Sequence, residues 1–319
     1  HYPSQHIVRL KGIIRFFHFK NLDLISGFKK IAVILNENNI PILLMKGIAM
    51  RYYFNQTPRC MWDVDFLVPD KYYRQSIDIA IANGFKKKNN SDFNYFVPHS
   101  TDLVNDRMSI DIHRSLHDDN NHQAKVIDLM LENANEVHAF GAKVMIPRPE
   151  DLLLMIAVNG YNNRYVNRDG HNDDNSWMID FALLINESEN FEWEYFYRNA
   201  TALGCSYIVD FMLSQLQYYT QQLKLPTDIA EHLKNNNQID SRVKHDIYEK
   251  ELWALSYKIG QNKTIKASKI SVFSQNIPLR FRKYSIMLLK TISIDAFFRF
   301  YDFKTFELST MPHLTIQTK

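Results

Sequence analysis

The sequence has few cysteines and lacks several familiar catalytic signatures. Its 319 residues include two cysteines, Cys60 and Cys205. They form no CxxC pair, so neither a disulfide framework nor a zinc site is expected. No stretch reads GxSxG, GxGxxG, or GxxxxGK followed by Ser or Thr, so the signatures of a serine-hydrolase elbow, a dinucleotide-binding turn and a P-loop are missing. A reducing cytoplasm is the simplest location to predict.

Long apolar runs are also missing. No run approaches the roughly 18 residues that a membrane-spanning helix requires, so no transmembrane segment is expected. With 45% hydrophobic and 23% charged residues, the composition is that of a chain that buries a core. The length allows one large domain or two modest ones.

The net charge of +3 conceals an uneven distribution along the chain. Residues 241–319 contain 14 Lys and Arg against 6 Asp and Glu, a net charge of +8, whereas the first 240 residues carry −5. A basic region can meet nucleic acid, an anionic surface or an acidic protein. Solvated helix faces are the simpler interpretation. A nucleic-acid partner is therefore not favoured, and a protein partner for this basic C-terminal region stays open.

The spacing of apolar residues first predicts alternating helices and strands. Residues 7–19 and 23–39 have helical spacing, and 40–47 reads as a short buried strand that enters a glycine turn. Further elements are predicted before residue 148: helices over 48–55, 70–84 and 122–137, strands over 61–68, 84–88, 93–99, 101–105 and 107–116, and a hairpin over 137–147.

From Pro149 onward the pattern is almost entirely helical. We therefore predict two domains, one over 1–148 and a helical one over 149–319. The predicted fold class is α+β, with a small mixed β-sheet, N-terminal helices and a mostly helical C-terminal region. The helices predicted after the boundary are 150–163, 176–187, 193–204, 205–223, 226–235 and 282–303.

Two carboxylates stand two residues apart in the otherwise apolar run MWDVDFLV. Since alternate residues of a strand share a face, Asp63 and Asp65 would lie on one face about 7 Å apart. Asp111 interrupts the run MSIDIHR in the same way, and His113 would share its face. Carboxylates are ligands suited to Mg²⁺, and two such ions can clamp the attacking and leaving oxygens of a phosphoryl displacement. The three acids therefore predict a metal-dependent site.

A plainer interpretation of the same residues stays open. Asp63 and Asp65 could lie on an exposed sheet face, or could pair with Lys46 and Arg59. His113 could be a structural histidine whose hydrogen bonds are satisfied within the protein.

The stretch LLMKGIAMRYYFNQTPRCMWDVDFLV resembles the signature of the uncharacterised nucleotidyltransferase family, a branch of the DNA polymerase beta-like nucleotidyltransferase superfamily. The later runs IDIHRSL and SWMIDFALLI resemble further blocks of that family, and Asp180 matches an acid in the second. The resemblance covers about residues 38–188. The residues that stand where the signature places them are Lys46, Gly47, Ala49, Arg59, Asp63, Asp65, Leu67 and Val68.

This resemblance implies a nucleotidyltransferase domain over 1–148 that binds a nucleotide. Asp63, Asp65 and Asp111 would bind two Mg²⁺ ions, and Asp111 would also activate the acceptor hydroxyl. The favoured donor is ATP, whose AMP would pass to a hydroxyl of a small molecule, glycan or peptide with release of pyrophosphate. The alternative is a non-catalytic or antitoxin-like protein that keeps the fold in order to bind a partner.

The resemblance also implies groups that bind the nucleotide phosphates. The turn at Gly47 and the helix that follows it would face the phosphates, because free backbone N–H groups favour anions. Relatives commonly have Ser after this glycine, and this chain has Ile48 instead. Lys46 and Arg59 would supply the positive charge, and His113 would assist as a supporting group or a substrate contact.

Overall fold

The computed structural model describes residues 4–54, 59–88, 99–116, 123–163, 176–219, 223–235 and 243. These residues belong to one compact unit, His1–Lys244. Apart from Val243, the basic region 241–319 lies outside the described residues, as do the predicted helix over 282–303 and most of the predicted strand over 93–99. The division of the chain after residue 148 therefore stays a prediction.

The described residues form a mixed seven-stranded sheet with helices packed around it, which confirms the predicted α+β class. The order of the strands is β3-β4-β5-β2-β1-β7-β6, and β2 pairs with β5, and β1 with β7, in parallel. The strands are β1 (Leu43–Leu44), β2 (Val64–Leu67), β3 (Lys86–Lys87), β4 (Ser100–Val104), β5 (Ser109–His113), β6 (Asn135–Ala139) and β7 (Ala142–Ile146).

Helices precede, interrupt and follow the strands. The helices predicted within residues 150–235 are all confirmed, with ends that shift by a few residues. In the described part of the chain the helices are α1 (Ser4–Glu37), α2 (Lys46–Tyr53), α3 (Asp70–Ala82), α4 (Gln123–Asn133), α5 (Pro149–Tyr161), α6 (Ser176–Glu187), α7 (Trp193–Ala202), α8 (Ser206–Tyr219) and α9 (Thr227–Asn235).

Several predicted elements differ in extent from the structure. The strand predicted over 40–47 is only Leu43–Leu44, and α2 already begins at Lys46, where a turn was expected. The two predicted N-terminal helices are one helix, α1, because residues 20–22 contain no helix breaker and Asn21 bonds to a distant segment instead of its own backbone. The predicted strand over 61–68 begins only at Val64. The helix predicted over 122–137 ends at Asn133, because the next residues pair in the β6–β7 hairpin.

The main core lies between α1 and the sheet. Phe28 of α1 packs against Phe66 of β2 with ring centroids 5.7 Å apart, and Ile31 and Leu35 extend the same buried stripe. Burying such side chains stabilises the fold by roughly 2 kcal/mol each. The sheet face toward α1 is therefore fixed by packing, which leaves the opposite face for polar side chains.

A second core surrounds α5, which contacts α2, α6, α7 and α8. None of the helices in the described ranges is long and apolar enough to cross a membrane. Asp151 is fully buried in this second core, where Tyr195 Oη donates to its Oδ2 over 3.0 Å and Asn199 Nδ2 donates to its Oδ1 over 3.3 Å. Burial raises the pKa of Asp151 to about 6, since these two hydrogen bonds offset the loss of hydration only in part.

The pKa of Asp151 predicts how stability changes with pH. Between about pH 4 and pH 6 the folded protein binds more protons at Asp151 than the unfolded chain does, so the free energy of unfolding should fall as pH rises. The expected loss is on the order of 1–3 kcal/mol. Urea unfolding of the wild type and of Asp151→Asn from pH 4 to pH 7 measures it. Equal pH slopes for the two proteins would contradict the prediction.

Candidate functional site

The pairing of β2 with β5 places two carboxylates side by side. The strands run parallel, and Asp65 is in register with Asp111. Neighbouring residues in register point to the same side of a sheet, so both carboxylates lie on the face away from α1. Ile110 and Ile112 of β5 point the other way and are fully buried, as their alternation with Asp111 predicted.

His113 lies against both carboxylates. Its Nε2 atom is 2.9 Å from Asp111 Oδ2 and 3.2 Å from Asp65 Oδ1, and the residue is only 3% exposed. One potential ligand atom from each of these three residues lies within 4.8 Å of the others. The structure thus brings together Asp65, Asp111 and His113, which the sequence placed 48 positions apart at most.

Lys46 adds an ammonium group to this cluster. Its Nζ atom donates to Asp65 Oδ1 over 2.6 Å and lies 3.4 Å from His113 Nε2. The residue follows β1 and opens α2 with φ of 46°, a left-handed backbone conformation that is unusual outside glycine. The turn after β1 therefore directs the lysine across to the neighbouring strand. We refer to Lys46, Asp65, Asp111 and His113 as the buried quartet.

The buried quartet sets two carboxylates against the ammonium group of Lys46 and the imidazole of His113. Burial works against every charged form, yet Lys46 and His113 together lower the pKa of Asp65, and His113 and Lys46 lower that of Asp111. For the same reason the carboxylates raise the pKa of Lys46 and of His113 in spite of their burial. Buried charges of both signs are tolerated here because each contacts an opposite charge.

Asp63 stands apart from the quartet. It lies in a bend just before β2, is half-buried, and is not one of the three residues whose ligand atoms converge. Burial and the charge of Asp65 raise the pKa of Asp63 to about 6. The charges of the quartet therefore act on the Asp63 carboxyl group. The position of Asp63 depends on the segment before the strand.

Arg59 and Gly47 occupy different environments from those the sequence implied. Arg59 Nε donates to both carboxylate oxygens of Asp180 on α6, over 2.9 and 3.1 Å. The guanidinium is thus engaged away from the quartet, and its role toward phosphates stays a prediction. Gly47 is buried against Met61, because a Cβ atom at this position would lie 3.0 Å from Met61 Cγ.

Two residues near the site were missed by the sequence analysis. Asp102 of β4 is directly opposite Asp111, so a third carboxylate continues the row that starts at Asp65. There was little signal for it in the sequence, because its strand, STDLV, has no apolar alternation for Asp102 to interrupt. The second residue, Asn21, is a buried polar side chain within the apolar stripe of α1.

The quartet can be tested for its fit to a metal ion. The Oδ1 atom of Asp111 is buried and has no hydrogen-bond partner in the described part of the chain. Such an atom normally has a partner, and carboxylate oxygens are the ligands that Mg²⁺ prefers. The donor set of Asp65 and Asp111 therefore fits a hard divalent cation, which would compete with the Lys46 ammonium for Asp65.

A mixed sheet that carries paired carboxylates beside a lysine-glycine turn matches the class of protein that the sequence resembles. The sequence pattern of the uncharacterised nucleotidyltransferase family matches residues 2–221 of this chain. The chain therefore belongs to this family and is a nucleotidyltransferase. The match extends beyond residues 38–188 and includes α1, α7 and α8. No curated protein matches the chain.

Several solved structures are similar to this chain. The solution structure of the antibiotic-resistance factor ANT(2'')-Ia shares 13% identity over 64% of this chain and 98% of its own, with a TM-score of 0.39. An antigenic nucleotidyltransferase-like protein from Paracoccidioides brasiliensis shares 16% over 67% and 92%, with a TM-score of 0.39. The lincosamide antibiotic adenylyltransferase LnuA, bound to lincomycin, shares 15% over 47% and 89%, with a TM-score of 0.33.

Removing one cation from the quartet should destabilise the fold. Lys46→Met leaves Asp65 buried with one cation fewer, and breaking a buried ion pair from one side costs about 3 kcal/mol. Lys88→Met is the matched control, because Lys88 pairs with Asp102 over 3.9 Å at an exposed position and should matter by less than about 1 kcal/mol. Urea unfolding compares the two variants. If both variants lost the same small amount of unfolding free energy, the ion pair of Lys46 with Asp65 would not stabilise the fold as predicted.

Proposed function

We propose that the protein moves the AMP unit of ATP onto a hydroxyl group of a small molecule, glycan or peptide and releases pyrophosphate. Family membership supports nucleotidyl transfer in general. One observation supports a reaction that depends on a metal ion. Asp65 and Asp111 lie in register on neighbouring strands, and a buried oxygen of Asp111 lacks a hydrogen-bond partner among the described residues.

Asp63, Asp65 and Asp111 would hold two Mg²⁺ ions in this proposal. Bound Mg²⁺ stabilises negative charge that develops on the phosphoryl oxygens and on the attacking and leaving oxygens. Asp65 and Asp111 are fixed by strand pairing, and Asp63 lies just before β2. The described residues thus offer two rigid carboxylates and one whose position depends on a neighbouring segment.

The other groups of the site bind and orient the substrates. The backbone at Gly47 and the start of α2 would face the phosphates, with Lys46 supplying positive charge close to Asp65. Arg59 would contribute charge from its ion pair with Asp180. Asp111 would lie beside the acceptor hydroxyl as well as the metal ions. Because the pKa of Asp111 is lowered, this carboxylate orients the hydroxyl and accepts its proton only as the new O–P bond forms.

The proposed domain division places the quartet within residues 1–148, and the proposed helical domain over 149–319 begins with α5. Tyr53 Oη donates to the carbonyl of Pro147 over 2.7 Å, which ties the end of α2 to the segment just before α5. We propose the cytoplasm as the location, where ATP and Mg²⁺ are both available to the enzyme.

Labelled ATP tests the reaction and the role of the carboxylates. With Mg²⁺ and a pool of metabolites, glycans or peptides, label should pass from the α position and not from the γ position. Asp111→Asn should lower transfer about a hundredfold or more, since metal stabilisation of the transition state is worth several kcal/mol. Asp128→Asn, on the exposed side of α4, is the control and should transfer normally.

Two outcomes would contradict the proposal. Label transfer from the γ position alone would show phosphoryl transfer instead of nucleotidyl transfer. Failure to bind both nucleotide and Mg²⁺ in calorimetric titration, together with tight capture of a protein partner, would favour the non-catalytic alternative.

A further inference from the structure

Side chains of α1 hold the segment that leads into β2: Phe17 and Lys20 contact the ring of Trp62, and Asn21 bonds to the backbone. Asn21 Nδ2 donates to the carbonyl oxygen of Arg59 over 2.6 Å, and the N–H of Met61 donates to Asn21 Oδ1 over 3.1 Å. One amide thus bonds to backbone groups on both sides of Cys60. We call Asn21, Arg59 and Met61 the amide clamp.

The location of Asn21 makes this interaction unusual. Asn21 is 2% exposed and continues the buried stripe of α1 formed by Leu24, Phe28, Ile31 and Leu35. A polar side chain in such a stripe is unfavourable unless its hydrogen bonds are made. Both ends of the amide are used, so Asn21 serves to hold the segment and does not serve as core packing.

The side chains of the same segment are anchored from two other directions. Arg59 Nε reaches both oxygens of Asp180, which is almost fully buried on α6. The Met61 side chain covers Gly47, where an added Cβ atom would meet it at 3.0 Å. The amide clamp therefore joins α1 and α6 to the turn that carries Lys46.

Asp63 needs this support more than the other carboxylates do. Asp65 and Asp111 lie in paired strands, but the ladder of β2 begins only at Val64. Between the clamp and the strand only Trp62 and Asp63 intervene. Asp63 therefore lies between two fixed points of the backbone, Met61 on one side and the start of the ladder at Val64 on the other.

We propose that Asn21 is a positioning residue for the metal site: through the amide clamp it orients the segment that carries Asp63 toward the quartet and holds Met61 against Gly47 at the start of α2. The inference rests on the proposed function, since it assigns Asn21 a task in the proposed binding of ion and nucleotide. Asn21 touches neither substrate in this assignment and acts through the backbone it holds.

Asn36 provides a matched control on the same helix. Its Nδ2 atom donates to the carbonyl oxygen of Lys143 over 3.0 Å, and the N–H of Lys143 donates to its Oδ1 over 2.9 Å. Asn36 makes the same two types of hydrogen bond as Asn21, but it makes them with the backbone of β7. Asn21→Ala and Asn36→Ala thus each remove an amide that holds backbone, and only the first should affect the metal site.

Mn²⁺ titration in the presence of a non-hydrolysable ATP analogue is the decisive measurement. Asn21→Ala should weaken Mn²⁺ binding about 10- to 100-fold, as loss of an outer partner of a metal ligand typically does. Asn36→Ala should bind as the wild type does. Asn21→Leu, which fills the volume in an apolar stripe, should fold and show the same loss as Asn21→Ala. Wild-type affinity in both Asn21 variants would overturn the inference and leave the proposed function standing.

Hydrogen exchange separates the two proposals. The amides of residues 59–63 should exchange about tenfold faster or more in Asn21→Ala than in the wild type or Asn36→Ala, because two hydrogen bonds to this segment are lost. If the wild type bound neither Mn²⁺ nor nucleotide, the proposed function would fail. Faster exchange would then still support the clamp, and unchanged exchange would overturn it.

Discussion

The site depends on the in-register pairing of β2 and β5. This pairing puts the Asp65 and Asp111 carboxylates on adjacent strands and on the same face of the sheet. Two buried like charges at this distance would oppose folding, and Lys46 and His113 make the arrangement possible by contacting them. The apolar face of the same strands packs against α1, so the strands cannot shift by one residue without burying the acids in the core and exposing Phe66. Core packing thereby fixes the chemistry of the opposite face.

The elements around this pairing contribute a lysine and support for the third acid, which the two strands do not supply. The turn after β1 delivers Lys46 from a left-handed backbone position, and α1 and α6 hold the segment that carries Asp63 toward the sheet. Carboxylates within the ladder are rigid, whereas the one before the ladder takes its position from side chains more than 100 residues apart in sequence, Asn21 and Asp180. The candidate site is therefore supported by α1 and α6 as well as by the strands, and not by one motif.

Sequence reasoning succeeded where the signal is local and failed where a distant partner decides. The acids at Asp65 and Asp111 interrupt apolar alternation, a period-two signal that survives without knowledge of the fold. The continuity of α1 was missed because apolar spacing was used to mark the helices, and the buried polar Asn21, which bonds to Arg59 and Met61, lies between the two predicted segments. The ion pair of Arg59 with Asp180 of α6 was not predicted, because charge alone does not reveal which distant residue lies beside it.

The sequence by itself determined the class of fold, the family and which side chains could carry chemistry, since periodicity and motif spacing are properties of neighbouring residues. Only the tertiary structure decided which charges meet. Lys46 pairs with Asp65, Arg59 pairs with Asp180, and His113 joins the two carboxylates, because strand register and helix packing bring together groups that are far apart along the chain. Electrostatic partners are chosen by distance in space, and the order of residues along a chain does not specify that distance.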